Sequence, residues 1–217
     1  MSIAQKLKKG AAWTIGRALP IQKNKVVFSS FYGRGASDNP KAIVDALAQR
    51  PENLDIVWLA KDSAHAGVPD NVRVVPYDTA AAIRELSTAR VWVDNCRKGA
   101  HVKKAGQYYM QTWHGFALKR IERDVADKLN TPENAAYAEY AKRDSAQIDA
   151  IISNSTFMTK IYQNSFWYHG TVLEYGSARN DILVNPPADA KQQVQQALHL
   201  PEDCQIIMYA PTFRADH

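Results

Sequence analysis

The sequence has almost no cysteine. Its two cysteines, Cys96 and Cys204, lie far apart and form neither a CxxC pair nor a zinc-ligand pattern. They are therefore predicted to be reduced thiols of a cytoplasmic protein, in agreement with the absence of a signal peptide. Apolar runs are short, and none approaches the roughly 20 residues that a membrane-spanning helix requires. Such a protein is expected to meet a membrane only at its surface.

Signatures of nucleic-acid binding are missing as well. The net charge of +5 favours partners that carry phosphate, namely nucleic acid, anionic lipid or a phosphorylated substrate. The basic residues are dispersed, however, and no RRM, KH or helix-turn-helix pattern is present, so a nucleic-acid partner is not predicted. No cluster has the ligand spacing of a metal site, so no metal ligand is predicted and metal dependence stays open.

From Lys25 onwards, short β-branched runs alternate with helical stretches. This alternation is typical of βα units and predicts an α/β fold with a Rossmann-like parallel sheet. The predicted strands are Lys25–Ser29, Asp55–Ala60, Val72–Val75, Ala89–Val93, Tyr108–Thr112, Asp149–Ser153, Thr171–Tyr175 and Gln205–Ala210. The predicted helices are Asn39–Gln49, Thr79–Leu86, Pro132–Ser145, Ser155–Gln163 and Ala188–Leu198.

Residues 1–22 predict a short amphipathic helix with basic flanks. Ile3, Leu7, Ala11 and Ile15 recur at every fourth position, which places them on one helix face, while lysine and arginine side chains lie off that stripe. Two interpretations are open. The helix could lie on an anionic membrane surface with its apolar stripe in the acyl boundary, or it could pack on its own domain.

Residues 23–180 are predicted to form the Rossmann-like domain, and residues 181–217 a crossover followed by the start of a second domain. The sequence Asn185-Pro186-Pro187 cannot continue a helix and reads as a hinge. One helix and one apolar strand follow. Because a buried parallel strand needs neighbours on both sides, this end is interpreted as the beginning of another sheet.

The segment Gln111–Asp124 contains the most informative histidine. His114 and Gly115 follow an apolar, aromatic strand, and open α/β sheets bind ligands at the carboxyl ends of their strands. A histidine there can take a proton from a hydroxyl near neutral pH, although spacing alone also fits a structural role. A basic helix is predicted to follow, with Lys119 and Arg123 on one face, either phosphate-binding or solvated.

A glycine-bearing loop precedes the first helix of the predicted sheet domain. Gly33 lies in this loop, and Ser37, Asp38 and Asn39 are candidates for the helix N-cap, so the loop is a candidate anion cradle. It matches neither the P-loop nor GxGxxG. Further turns follow the later strands at Ser153–Phe157, Glu174–Asn185 and Tyr209–Arg214. Each of them taken singly is an ordinary turn.

In this order and at these spacings, the segments together resemble the CDP-glycerol:poly(glycerophosphate) glycerophosphotransferase family of teichoic acid synthesis. The combination of Trp-His-Gly with the downstream Arg-Asn-Asp and Ala-Pro-Thr-Phe-Arg segments carries the specificity. The matching residues are Tyr32, Gly33, Ser37–Lys41, Gln111–Gly115, Lys119, Ser153–Phe157, Gly176, Arg179–Asp181 and Ala210–Arg214.

The resemblance implies both a fold and an activity. Family members are similar to GT-B glycosyltransferases, with two Rossmann-like domains facing a cleft, and this chain would form the N-terminal, acceptor-side half. They transfer glycerol phosphate from CDP-glycerol to an acceptor hydroxyl and release CMP, and no cofactor is implied. Their acceptor is polyprenyl-linked, which implies a peripheral place on the cytoplasmic face of the membrane. Whether the protein forms a homo-oligomer stays open.

The resemblance also implies roles for individual residues. His114 corresponds to the general base of the family, with positioning and charge stabilisation supplying most of the catalysis. The residues for which it implies substrate binding are Gly33, Ser37, Asp38, Asn39, Trp113, Gly115, Lys119, Arg179, Asn180, Asp181, Thr212 and Arg214.

The sequence departs from the family pattern in two respects. Ala178 stands where the family usually has proline, which reduces the stiffness of the turn. The family's second domain, which carries most donor contacts and another catalytic histidine, is nearly absent, so this polypeptide alone is expected to turn over slowly or not at all. The alternatives are a truncated, non-catalytic remnant that binds acceptor or membrane, and a ribitol-phosphate transferase with the same segments.

Overall fold

The computed structural model describes residues 3–62, 67–98, 101–128, 131–201 and 203–210, with the backbone alone for residues 3–9. The helices are α1 Ile3–Ala18, α2 Asp38–Ala48, α3 Ala80–Thr88, α4 Arg123–Ala126, α5 Pro132–Ser145, α6 Thr156–Ser165, α7 Asp181–Val184 and α8 Ala190–Ala197. The strands are β1 Gln22–Ser29, β2 Asp55–Ala60, β3 Arg73–Pro76, β4 Ala89–Asp94, β5 Tyr108–Gln111, β6 Ala150–Ile152 and β7 Thr171–Leu173. Short 3₁₀ turns lie at Phe31–Gly33 and Ala178–Asn180.

The strands of the described residues form one parallel sheet of seven strands in the order β3-β2-β1-β4-β5-β6-β7. Both faces of such a sheet are covered by helices, which is why its strands are apolar runs rather than alternating patterns. Strand β2 illustrates this, since five of its six residues are buried. The predicted α/β fold with a parallel Rossmann-like sheet is confirmed.

Two apolar clusters fill the two faces of the sheet. Val27, Val57 and Trp92 point into one cluster, whereas Phe28 and Trp58 point into the other. Neighbouring residues of one strand thus contribute to opposite layers, as the period of two in a strand requires. The core therefore holds the strands, and with them their carboxyl ends, in a fixed register.

Helix α1 packs against α3 with one face and leaves another face exposed. Gly16 allows a close approach, because an added Cβ at this position would collide with the hydroxyl of Ser87. The Trp13 ring packs on the sheet core and lies 5.2 Å from the His101 ring. Ile15, a member of the predicted apolar stripe, is 64% exposed. Ile15 borders a groove that is also lined by Ala80 and Arg84 of α3, so the packing of α1 on its own domain leaves most, but not all, of this side chain exposed.

The chain divides into two compact units, Met1–Asn180 and Asp181–His217. The second unit holds α7, α8 and an extended segment. The strand predicted at Gln205–Ala210 is wrong: these residues pair with no strand in the described part of the chain, and Ile207 and Tyr209 are 85% and 88% exposed. An extended segment becomes a strand only when neighbouring strands take its backbone hydrogen bonds. That this unit begins a second domain stays a prediction.

The basic helix predicted directly after His114 is also wrong. Residues 115–121 form no helix, and α4 begins at Arg123. Glu122 has a φ of 56°, a left-handed conformation in which an α-helix cannot continue, and its carboxylate accepts a 2.6 Å hydrogen bond from Arg97. Lys119 is exposed in the irregular segment and shares no helix face with Arg123.

Candidate active site

The strand order reverses between β1 and β4, since the chain runs outward from β1 to β3 on one side and from β4 to β7 on the other. Ligands of open parallel sheets bind outside the carboxyl ends of strands at such a switch point. Three polar segments meet here: Ser29 and Ser30 at the end of β1, Asp94 and Asn95 at the end of β4, and the loop after β5. This edge is the natural place for a site.

The turn after β5 is held in place by buried hydrogen bonds. Gln111 is 1% exposed, and its side-chain oxygen accepts a 2.9 Å hydrogen bond from the backbone N–H of Trp113. The N–H of Thr112 donates to the carbonyl of Asp94 at 2.9 Å. Trp113 has a φ of 51°, which is uncommon for a bulky residue and turns the chain sharply. His114 follows directly after this sharp turn, beyond the end of β5.

Two distant side chains bind the backbone of this turn. The Asn39 amide, at the start of α2, donates to the carbonyls of Thr112 and Trp113 at 3.4 and 3.3 Å. The Arg179 guanidinium donates to the carbonyl of His114 at 2.9 Å and forms an ion pair with Asp38. The backbone N–H of Arg179 donates to the Asn39 side chain at 3.2 Å. Segments 65 to 141 residues apart are thereby joined around His114.

The His114 ring lies between two aromatic side chains. It stacks on Trp113 with ring centroids 4.4 Å apart and lies 5.8 Å from the ring of Phe31. Burial lowers the pKa of the His114 imidazole below its ordinary value, Asp38 acts in the opposite direction, and Arg179 lowers the pKa further. The neutral ring therefore predominates near pH 7, and a neutral imidazole can accept a proton.

Asp38 and Asn95 connect this turn to the end of β1. Asn95 donates from its amide to Asp38 at 2.6 Å and accepts from the backbone N–H of Phe31 at 2.9 Å. Asp38 is the first residue of α2 and has a φ of 65°. Its carboxylate is thus used by Arg179 and Asn95, and the Phe31 ring is held beside His114.

Sequence reasoning missed a set of buried charges behind the site. Lys98 donates to Asp94 at 2.7 Å and to Ser29 at 2.9 Å, and both charged side chains are 2% exposed. Next to them, Arg97 pairs with Glu122 and Asp144 at 2.6 and 3.3 Å. The available signal was the sequence 94–98, which places three charged residues at the end of the apolar strand β4. Charges in such a buried position have to be paired.

The remaining predicted site residues are placed as follows. Gly33 has a φ of 81°, and an added Cβ would lie 2.6 Å from the Tyr77 ring. Its N–H already donates to the carbonyl of Ser30 at 2.8 Å. Gly115 follows His114 and has open space around the position of a Cβ. The other predicted residues are exposed (Ser37, Lys119, Asn180 and Asp181) or lie outside the described residues (Thr212 and Arg214).

The structure thus brings five of the predicted residues together at one sheet edge, namely Asp38, Asn39, Trp113, His114 and Arg179. Within the described ranges, no group of three or more His, Cys, Asp or Glu residues is arranged to hold a metal ion. No described helix is both long and apolar enough to cross a membrane.

Fold and site together define an α/β protein of the Rossmann-like class with a half-buried histidine at the switch point of its sheet. Residues 11–217 match the family described as CDP-Glycerol:Poly(glycerophosphate) glycerophosphotransferase, so the chain belongs to this family. The resemblance that the sequence motifs indicated is confirmed.

Individual relatives agree with this membership. A teichoic acid poly(glycerol phosphate) polymerase of Staphylococcus epidermidis is 33% identical over 201 residues, which is 90% of this chain and 28% of the relative. A teichoic acid glycerol-phosphate transferase of Staphylococcus aureus is 32% identical over 89% of this chain and 51% of the relative. The chain thus spans about half or less of the length of these relatives.

Among solved structures, the wall teichoic acid polymerase TagF matches with a TM-score of 0.87 and 30% identity, over 100% of this chain and 58% of that chain. A TagF variant soaked with CDPG for 15 minutes matches equally well, with a TM-score of 0.87. The predicted fold class, an α/β half of GT-B type, is confirmed by this likeness.

Proposed function

We propose that this chain takes part in the transfer of glycerol phosphate from CDP-glycerol to a hydroxyl of a glycerophosphate acceptor, as in teichoic acid synthesis. The relatives' names and family membership support the reaction class. The observation that carries the proposal is a half-buried His114 with a lowered pKa at the carboxyl edge of the sheet. Phosphoryl transfer to an alcohol needs one side chain that removes a proton, and this histidine has the required protonation state.

In the proposed step, neutral His114 takes the proton of the acceptor hydroxyl. The freed oxygen attacks the β-phosphorus of CDP-glycerol, a new P–O bond forms, and the bond to the bridging oxygen of CMP breaks, so that CMP leaves with the electron pair. Positioning accounts for much of the rate in such reactions. Asn39 and Arg179 serve this purpose, because their hydrogen bonds hold the backbone that carries the imidazole.

The other substrate-binding residues stay predictions. Lys119 is exposed and Gly115 has free space beside it, which suits contact with a phosphate, whereas Asp38 and Arg179 are paired with each other and suit a positioning role better. Thr212 and Arg214 are proposed for donor binding on the family motif alone.

The acceptor is proposed to be polyprenyl-linked, which places the protein peripherally on the cytoplasmic face of the membrane. Helix α1 supports this placement, because it is attached to the domain through Trp13 and Gly16 while most of the Ile15 side chain stays exposed. An exposed apolar residue on a helix with basic flanks suits an anionic leaflet.

The proposed reaction is tested with the full-length gene product and CDP-glycerol labelled in the glycerol. Label should pass to a glycerophosphate acceptor with release of one CMP per unit transferred. CDP-ribitol serves as the matched donor, since a ribitol-phosphate transferase would share the sequence motifs. Absence of transfer would contradict the reaction, and preferential use of CDP-ribitol would contradict the identity of the transferred unit.

A further inference from the structure

A cavity of about 340 Å³ lies between helices α1 and α3, separate from the turn that carries His114. Its walls are mostly apolar and come from α1 (Trp13), β2 (Leu59) and α3 (Ala82, Ile83 and Leu86), and Tyr77 and His101 line it as well. Pockets that bind small molecules typically have roughly 300 to 1,000 Å³ and are lined by apolar and aromatic residues with a few polar groups. The cavity has the size and lining of a binding site for an apolar group.

The cavity lies toward the same sheet edge as His114. Near the end of α1, the carbonyl of Leu19 accepts a 2.6 Å hydrogen bond from Lys104, which precedes β5 and therefore marks the amino edge of the sheet. Toward its beginning, α1 borders the cavity through Gly10 and Trp13, opposite Tyr77, which directly follows the carboxyl end of β3. The cavity thus lies near the beginning of α1, toward the edge of the sheet where the strands end and where His114 is located.

A second, more polar cavity of about 180 Å³ adjoins the first one, because both are lined by Tyr77, Asp78 and His101. Tyr32 also lines this polar cavity, and the neighbouring residue Phe31 lies against the His114 ring at 5.8 Å. The apolar space under α1 thus adjoins a polar cavity that ends at Tyr32, one residue from the Phe31 ring that contacts the imidazole.

We infer that the cavity between α1 and α3 binds the hydrocarbon chain of an amphiphilic acceptor, with the polar part of the acceptor directed toward His114. Only the placement of the polar part near His114 rests on the proposed transfer reaction; the binding of the hydrocarbon chain in the cavity does not. A volume of 340 Å³ corresponds to about eleven groups the size of a water molecule or methylene. The site thus accommodates about ten carbons nearest the head group, and the rest of a longer chain continues into the membrane beside α1.

The test measures calorimetric binding of alkyl phosphates with six, eight, ten, twelve and fourteen carbons, each below its micelle concentration. Burial of each methylene is expected to strengthen binding about fourfold, with a plateau near eleven carbons. Gly10→Leu should weaken binding of decyl phosphate at least about tenfold, because Gly10 lines the cavity and has no heavy atom within 4 Å of an added Cβ. Ala11→Leu adds the same side chain at an exposed neighbouring position and should bind like wild type.

A transfer assay separates an acceptor chain from a bilayer lipid as the occupant. Gly10→Leu should raise KM for a decyl-linked glycerophosphate acceptor and leave KM for the unlinked acceptor unchanged. Affinity that is independent of chain length, or equal binding by the two leucine variants, would overturn the inference. Because alkyl phosphate binding needs neither CDP-glycerol nor His114, intact binding without any transfer would contradict the proposed function and leave the cavity assignment standing.

Discussion

His114 is flanked by two charges of opposite sign, and their effects on its pKa can be separated. Asp38 favours the protonated imidazole, whereas burial and Arg179 favour the neutral one. Asp38 and Arg179 also bind each other, and Arg179 holds the carbonyl of His114. The same pair of side chains thus influences both where the imidazole lies and when it is protonated.

Replacement of either charge should move the acid limb of the pH dependence of kcat/KM, and in opposite directions. Asp38→Asn removes a charge that raises the pKa of His114, so the limb should move to lower pH. Arg179→Gln removes a charge that lowers the pKa, so the limb should move to higher pH, with a lower plateau because the backbone hydrogen bond is lost.

Arg50→Gln serves as the control for these pH profiles, because Arg50 is exposed beyond the other end of α2 and pairs with Glu52. Its profile should match that of the wild type. Shifts of the same sign in the Asp38 and Arg179 variants would contradict the assignment of the limb to His114.

The position of His114 at the end of a strand was predictable from sequence, whereas the side chains that hold its turn in place were only partly predictable. His114 is recognisable because it follows an apolar strand in a Trp-His-Gly segment. Asp38, Asn39 and Arg179 were predicted as substrate ligands, whereas the structure shows their side chains engaged with each other and with the turn. Hydrogen bonds between segments up to 141 residues apart leave no local sequence pattern.

At the scale of elements, the seven strands of the sheet were predictable because parallel strands buried on both faces are continuous apolar runs. The same criterion failed at Gln205–Ala210, an apolar run without a neighbouring strand in the described part of the chain. Periodicity likewise suggested a helix after His114, where the buried carboxylate of Glu122 and its positive φ impose an irregular segment. Local propensity failed in the first case because no partner strand is present in the described residues, and in the second because a tertiary contact overrides it.

Helix α1 is the element through which a membrane contact is predicted. Ile15→Glu should reduce flotation with vesicles that contain anionic lipid by about ten- to a hundredfold, since the loss of one buried isoleucine costs roughly 1.5 to 3 kcal/mol. Ile182→Glu is the matched control, because Ile182 is exposed to a similar degree, 58% against 64% for Ile15.

The rate of transfer to the unlinked glycerophosphate acceptor, measured alongside flotation, should be unaffected by Ile15→Glu. Equal flotation of the two isoleucine variants would contradict a membrane role for α1.

At the scale of the whole molecule, the parallel sheet collects distant residues at one edge. The ends of β1, β4 and β5, the start of α2 and the 3₁₀ turn at Ala178–Asn180 all contribute to the surroundings of His114. The cavity under α1 lies toward the same edge. The positions of the proposed catalytic base, of the Asp38–Arg179 pair beside it and of the apolar cavity therefore follow from one topological feature, the common direction of the strands.

The central claim is that the imidazole of His114 removes the proton of the acceptor hydroxyl. It is tested most directly by the single-turnover rate of glycerol phosphate transfer by full-length wild type, His114→Ala and His169→Ala. His169 is an exposed histidine that precedes β7 and so lies at the opposite edge of the sheet. We predict a loss of about 10²- to 10⁴-fold for His114→Ala and an unchanged rate for His169→Ala. An undiminished rate in a folded His114→Ala variant would contradict the claim.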